Sequence, residues 1–182
     1  MYIYADNAAT TKINPVAMDV MNKCMTEVYG NPSSLHSAGQ KAAEAMQKAR
    51  EDIAQVLGAD FREIYFTSGG TEADNQAIYS AAAFGEKKGK KHIISSAIEH
   101  HAVLHTLQRL EKEGFEITLL DVGEDGIVRP EDVRQAIRED TALVTIMYAN
   151  NEIGTLQPIS EIAAICREKK VIFHTDAVQA VG

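Results

Sequence analysis

Short apolar runs rich in β-branched residues alternate with amphipathic, helix-like segments over the last two thirds of the chain. The alternation predicts five strands, at residues 63–67, 92–96, 116–121, 142–148 and 171–175. Helical periodicity is clearest at residues 102–113 and 159–169. Because parallel strands need helical connections that cover both faces of their sheet, this order predicts an α/β fold with a mostly parallel sheet.

The first 60 residues have a different pattern. A polar opening at residues 6–11 precedes a helix-like stretch after Pro15 and a loop at residues 30–36. An Ala-rich segment then runs from about Ser37 to Leu57, and its Ala, Glu, Gln, Lys and Arg content favours a helix. We therefore expect an N-terminal helical region followed by the sheet.

Composition and charge limit the classes of partner. The chain has 182 residues, 45% hydrophobic and 24% charged, which is enough for a sizeable core. Its net charge of −8 argues against an extended nucleic-acid or anionic-membrane surface, which needs clustered Lys and Arg. No apolar stretch is long enough to cross a bilayer, and the first twenty residues lack the apolar run of a secretion signal. We expect a cytoplasmic protein.

The chain has two cysteines, Cys24 and Cys166, both within helix-like segments. Their number and spacing indicate neither a disulfide framework nor a metal cluster. We expect both thiols to pack as small apolar groups, and we predict no metal site.

The segment Ser68-Gly69-Gly70-Thr71-Glu72-Ala73-Asp74 lies where a predicted strand runs into a helix. Its glycines permit a tight turn, Thr71 and Asp74 are spaced like a capping box, and a helix N-terminus of this kind binds phosphate. A capped turn without any ligand is an equally good interpretation. The chain lacks the Gly-Lys-Ser/Thr and three-glycine motifs of nucleotide enzymes, so any phosphate ligand belongs to another class.

Further polar segments follow later strands, at the sheet edge where open α/β sheets bind ligands. His100 and His101 follow the second strand, and residues 150–154 follow the fourth. Adjacent histidines point in different directions, which makes them poor joint metal ligands but leaves one imidazole free to stack on a flat ring. A helix-start histidine and an Asx turn before Pro158 are the alternative interpretations.

Asp176 ends the fifth predicted strand, which is otherwise apolar. A buried carboxylate is costly unless it is paired or hydrogen-bonded, and a protonated ring nitrogen would satisfy it. An N-cap aspartate is the alternative.

Taken together, these segments resemble the bacterial cysteine desulfurases, which are pyridoxal-phosphate (PLP) enzymes of fold-type I in the class-V aminotransferase family. The resemblance spans essentially the whole chain, in order and spacing. The motifs that carry it are Asp6-Asn7-Ala8-Ala9-Thr10-Thr11, Gly30-Asn31-Pro32-Ser33-Ser34, Phe66-Thr67-Ser68-Gly69-Gly70-Thr71-Glu72-Ala73-Asp74-Asn75, Glu99-His100, Asn150-Asn151-Glu152-Ile153-Gly154 and Asp176-Ala177-Val178-Gln179.

The resemblance implies a role for each matching residue. The backbone of Gly70 and Thr71, with the Thr71 hydroxyl, would hold the PLP phosphate, and His100 would stack on the pyridine ring and be a candidate acid or base. The remaining contacts would come from three side chains on later motifs. Asn151 and Gln179 would hydrogen-bond the phenolic oxygen, and Asp176 would keep the pyridinium nitrogen protonated.

The resemblance also implies reactive residues that this sequence does not match. In the family, a Ser-x-His-Lys motif supplies the cofactor-bonding lysine and a mobile loop supplies the nucleophilic cysteine, both downstream of the Asp176 motif. We therefore expect no catalytic residue of either kind in this chain and no turnover by the chain alone. Residues 1–15 would belong to a small domain and residues 16–182 to an incomplete large domain, completed by a second chain with the C-terminal half.

The complete enzyme would convert L-cysteine to L-alanine and an enzyme persulfide, act as a homodimer, and pass sulfur to an acceptor or scaffold protein for iron–sulfur cluster or thio-cofactor assembly. A non-catalytic PLP-binding or scaffold remnant stays open as an alternative. So does another fold-type I enzyme, such as a selenocysteine lyase or an aminotransferase.

Overall fold

The computed structural model describes residues 1–181 of the chain. The chain divides into two compact units, Met1–Phe66 and Thr67–Gly182, and each is described here by itself. Among the described helices, none is long and apolar enough to cross a membrane.

The first unit contains two helices, α1 (Pro15–Glu27) and α2 (Ser37–Leu57), and a 3₁₀ turn at Phe61–Glu63. Helix α1 begins where the Asn14 side chain accepts a hydrogen bond from the Val16 N–H (2.9 Å), with proline at the first helical position. Helix α2 ends at Gly58, whose φ of 66° is the left-handed conformation that glycine adopts without strain. Helix α1 buries none of its residues, whereas α2 buries three small ones.

The second unit alternates helices and strands. Its elements are α3 (Gly70–Glu86), β1 (His92–Ser96), α4 (His101–Lys112), β2 (Glu116–Leu120), α5 (Pro130–Ala136), β3 (Thr141–Thr145), α6 (Ile159–Lys169) and β4 (Ile172–His174). All pairings between these strands are parallel, and the strand order is β2-β1-β3-β4. The predicted α/β class with helices beside a parallel sheet is therefore confirmed.

Two apolar clusters form the core, one on each face of the sheet. Successive residues of a strand point to opposite faces, so Ile93 packs in the cluster with α3 and α4 while Ile94 packs with α5 and α6. Leu143 and Val144 of β3 divide between the clusters in the same way. All five residues of β1 and all five of β3 are buried, which makes these the central strands.

The strand predicted at residues 63–67 is wrong. Asp60 caps the 3₁₀ turn, and Glu63 closes it by accepting a hydrogen bond from the Asp60 N–H (2.8 Å). Ile64 is extended, but its carbonyl accepts from Arg50 Nε (3.3 Å), and no strand of the described residues pairs with this segment. This segment is therefore held by a capped turn and by a hydrogen bond from a side chain, and not by pairing with another strand.

Other differences are smaller. The remaining four predicted strands exist: the one at residues 92–96 has the predicted ends, and the others have ends within three residues of the predicted ones. Helix α5 is not among the predicted elements, although Pro130 and two following acidic residues mark its start. Cys166 is buried as expected, but Cys24 is exposed, because α1 has no buried face.

The buried central strands provide a test of where the stability lies. We expect Leu143→Ala, at a site with 0% exposure, to lower the free energy of unfolding by about 2–5 kcal/mol. Leu119→Ala, on edge strand β2 with 49% exposure, is the matched control and should cost less than about 1 kcal/mol. Urea unfolding of both variants measures the difference, and equal losses would contradict the assignment of β3 to the core.

Candidate active site

The turn into α3 is built differently from the predicted capping box. Helix α3 begins at Gly70, so Thr71 lies inside its first turn and is not placed to cap it. Glu72 accepts hydrogen bonds from the Ser68 N–H (2.7 Å) and the Ser68 hydroxyl (2.5 Å), and these bonds lower the pKa of Glu72. The predicted pairing of Thr71 with Asp74 is therefore wrong. The Thr71 side chain is left exposed at the helix N-terminus.

Gly70 lies against the turn that follows β4. A Cβ atom at Gly70 would stand 2.8 Å from Val178 Cγ2, closer than such atoms approach in proteins. The Val178 N–H donates to Asp176 Oδ1 (3.0 Å), which holds this turn in place. The structure thus brings the predicted phosphate residue Gly70 close to the turn that carries Asp176 and Gln179.

His100 occupies the first position before α4, with an exposed imidazole. Its Nδ1 accepts a hydrogen bond from the Ala102 N–H (3.1 Å), so this nitrogen carries no proton in that contact. The ring borders two clefts, one of about 390 Å³ shared with Thr71 and one of about 290 Å³ shared with Asn151. The helix-start interpretation of His100 is therefore correct, and it is compatible with a ring face open to a ligand.

The neighbouring His101 borders the same two clefts as His100, but its ring is tilted against the His100 ring. Its ring lies 5.2 Å from the ring of His105 in a stacked arrangement, and 6.1 Å from that of His100 at an interplanar angle of 51°. The described residues contain no group of three or more side chains suited to a metal ion.

Residues 150–154 form the Asx turn given as an alternative. Asn150 is buried, and its Oδ1 accepts from the N–H groups of Glu152 (2.8 Å) and Ile153 (3.0 Å). The next residue, Asn151, is half-buried and lines the smaller cleft together with His100. Both Asn150 and Asn151 line this cleft, but the Asn150 Oδ1 atom is already used by the turn.

Asp176 is buried at the end of β4, with 8% exposure. Its backbone carbonyl accepts from the Tyr148 N–H (2.8 Å), which extends the β3–β4 pairing past the ends of both strands. Its Oδ1 accepts from the Val178 N–H in an Asx turn, and no helix follows among the described residues, so the N-cap interpretation is not borne out. Gln179 follows in the same turn and is exposed.

Two further carboxylates are buried in this unit; the sequence predicted Asp74 only as a capping partner and Glu99 only as part of the Glu99-His100 motif, neither with a role of its own in the site. Asp74 and Glu99 each have 5% exposure. Asp74 Oδ1 lies 3.6 Å from His174 Nε2, and His174 Nδ1 lies 2.8 Å from Thr145 Oγ1. The position of Asp74 one turn before the buried Ile78 was the available signal, because residues four apart share a helix face.

Burial changes the protonation of this group. It raises the pKa of Asp74 and of Glu99 to about 7, and the negative charge of Asp176 adds to both increases. Burial also lowers the pKa of His174, against an opposing effect of Asp176. Near neutral pH, Asp74 and Glu99 therefore hold protons that they would release in the unfolded chain.

The chain is similar to known proteins over nearly its whole length. The aminotransferase class-V family model matches residues 3–182. The chain belongs to this family. A cysteine desulfurase IscS of Methanosarcina thermophila is 54% identical over 99% of this chain and 44% of its own length, and one of Clostridium botulinum is 53% identical over 99% and 45%. The chain therefore spans about half the length of the curated relatives it matches.

Solved structures agree with the family assignment. A NifS-like protein superposes with a TM-score of 0.96 at 42% identity, over 100% of this chain and 50% of its own. A structure of SspA in complex with cysteine gives a TM-score of 0.92 at 41% identity, over 97% and 51%. The resemblance to the N-terminal half of a cysteine desulfurase, stated from the motifs, is confirmed. The roles of the six site residues and the domain boundaries stay predictions.

The raised carboxyl pKa values predict how stability changes with pH. Because Asp74 and Glu99 hold protons in the folded chain up to about pH 7 but release them near pH 4 when unfolded, their contribution to the free energy of unfolding falls as pH rises from about 4 to 8. Burial lowers the pKa of His92 and of His174, so these two histidines contribute in the opposite sense. Replacing both in the Asp74→Asn, Glu99→Gln variant should flatten this fall. Thermal unfolding followed by circular dichroism between pH 5 and 8.5 measures it.

The matched control neutralises two exposed carboxylates, Glu111→Gln with Glu124→Gln. It should keep the slope of the parent chain. A double variant at Asp74 and Glu99 with that same slope would show that the two buried groups do not titrate in this range.

Proposed function

We propose that this chain supplies the PLP-binding half of a cysteine desulfurase, an enzyme that converts L-cysteine to L-alanine and retains the sulfur as a persulfide. The observation that carries the proposal is the meeting, at one end of a parallel sheet, of a side-chain-free helix start, an exposed imidazole and a buried carboxylate. Relatives more than 50% identical are named cysteine desulfurases, which supports this choice within the family.

The residues present fit PLP chemically. Gly70 leaves the start of α3 without a side chain, where backbone N–H groups and the helix dipole favour a phosphate. Among the described residues, Glu99 Oε2 and Thr175 Oγ1 are buried without a hydrogen-bond partner. Three buried carboxylates in one unit favour a cationic group, and the pyridinium ring of PLP is cationic at one end and anionic at the other.

Each residue would then bind a different part of the cofactor. Gly70 and Thr71 would bind the phosphate, and His100 would cover one face of the ring. Asn151 and Gln179 would donate to the phenolic oxygen. Asp176 would hold the proton on the ring nitrogen, and the protonated ring supplies an electron sink when PLP is bound.

The cysteines of this chain are poor candidates for the sulfur-accepting nucleophile. Burial raises the pKa of Cys166 to about 11, so it remains a thiol near neutral pH and lacks the thiolate character that attack requires. Cys24 matches neither the position nor the surroundings of the family's cysteine. We propose that the nucleophilic cysteine and the cofactor-bonding lysine come from residues outside these 182, in a homodimeric enzyme that serves a sulfur-acceptor protein.

Binding of PLP to the 182-residue chain tests the proposal. We expect reversible binding, and Asp176→Asn should weaken it about tenfold or more, because a charge-assisted hydrogen bond contributes roughly 1.5–3 kcal/mol. Asp121→Asn, at an exposed carboxylate, is the matched control and should bind like the parent chain. Fluorescence titration with PLP measures both, and equal affinities would count against Asp176 as the ring partner.

Turnover distinguishes the chain from a complete enzyme. Borohydride treatment should leave no covalent PLP on the chain, and incubation with L-cysteine should release no alanine. Adding the C-terminal half of a close relative should restore both signals. Alanine release by the pure chain would contradict the proposal, as would an assembled enzyme that binds PLP but prefers an amino acid other than L-cysteine.

A further inference from the structure

The loops that leave β1 and β3 run side by side beyond the end of the sheet. The two strands pair in parallel as far as Ser95 with Thr145. After that point His100 and Asn151 follow on separate loops and meet at the cleft of about 290 Å³. Some interaction other than the β1–β3 ladder therefore has to set the distance between the loops.

Two side-chain hydrogen bonds join the loops in opposite directions. Glu99 Oε1, on the loop after β1, accepts from the Met147 N–H on the loop after β3 (2.9 Å). Asn150 Nδ2 returns the connection by donating to the Ile98 carbonyl (2.9 Å). Each bond ties a side chain of one loop to the backbone of the other, so the pair resists both separation and sliding.

The two side chains are themselves rigidly held. Glu99 and Asn150 have 5% and 8% exposure. Ser96 Oγ donates to Glu99 Oε1 (2.5 Å), and Asn150 Oδ1 accepts the two N–H groups of its Asx turn. Each also directly precedes a predicted cofactor-binding residue in the chain, His100 or Asn151.

We infer that Glu99 and Asn150 are positioning residues that together fix the His100 ring and the Asn151 amide relative to each other at one cleft. The inference rests on the proposed function only for the identity of the ligand, PLP. The two hydrogen bonds between the loops, from Met147 to Glu99 and from Asn150 to Ile98, do not depend on which ligand is bound.

The protonation of Glu99 agrees with this role. Glu99 Oε1 accepts both of its hydrogen bonds whether or not Oε2 carries a proton, and burial raises the pKa of Glu99 to about 7. Asp176 and Asp74 face the same carboxyl group and oppose its charge. A neutral glutamine, which keeps one acceptor oxygen, should therefore replace Glu99 with little loss, whereas alanine should not.

Amide hydrogen exchange and PLP titration of the 182-residue chain test the inference together. We expect Glu99→Ala to speed exchange across residues 147–153 at least tenfold and to weaken PLP binding at least tenfold, while Glu99→Gln restores both. Ser95→Ala is the control, since it truncates a buried side chain whose hydroxyl has no partner. Exchange in Glu99→Ala no faster than in Ser95→Ala would overturn the inference.

A second variant covers the case in which Glu99→Ala does not fold. Asn150→Asp keeps the Asx-turn acceptor but removes the donor to Ile98, so the His100 ring resonances should move and PLP binding should weaken. Unchanged resonances with unchanged affinity would overturn the inference. Faster exchange in Glu99→Ala with no PLP binding by any variant, the parent chain included, would instead uphold the positioning role and refute the proposed function.

Discussion

The parallel pairing of β1 with β3 is the constraint on which the rest of the second unit depends. Both strands are buried on both faces, so each supplies residues alternately to two clusters, and a shift by one residue would exchange the side chains that reach each cluster. Since parallel strands end at the same edge, this pairing also brings the loops that carry His100 and Asn151 to one end of the sheet, where Glu99 and Asn150 set their spacing. The apolar core and the candidate site are thus consequences of one alignment.

Burial of acidic groups is the second physical theme. Asp74, Glu99 and Asp176 are removed from water in a unit where the nearest basic partner, His174, has its own pKa lowered by burial. Such an arrangement is costly in a structural core and makes sense where a cationic ligand is to be bound. The stability given up by burying these acidic groups would favour binding of a group that neutralises them.

Much of this could be read from the sequence, because the signals are local. Apolar runs predict strands β1 and β3, and the Ala-rich composition predicts helix α2. The glycine turn and the Asp176 motif indicate which residues lie at the sheet edge. The strand predicted at residues 63–67 is wrong because this segment has a strand-like apolar pattern but is held by other contacts. Those contacts, the Asp60 cap and the Arg50 side chain, leave no periodic pattern in the sequence.

The partnerships within the site were the least predictable part. Thr71 and Asp74 have the spacing of a capping box, but α3 begins at Gly70, two residues before a helix capped by Thr71 would begin, and the hydrogen bonds at this turn join Ser68 to Glu72 instead. In the sequence, Glu99 and Asn150 are recognised only as members of the motifs that contain His100 and Asn151. Their partners lie about fifty positions away in the chain, and only the folded sheet brings them together.

The contact between Gly70 and Val178 has a consequence for how this chain can vary in evolution. A side chain at position 70 would push on the turn that holds Asp176, so the proposed anion-binding end and the proposed ring-nitrogen end of the site are mechanically coupled. Substitutions at the two ends should then be strongly non-additive, each altering the effect of the other. Sequence change at one end is therefore expected to be tolerated only alongside a matching change at the other.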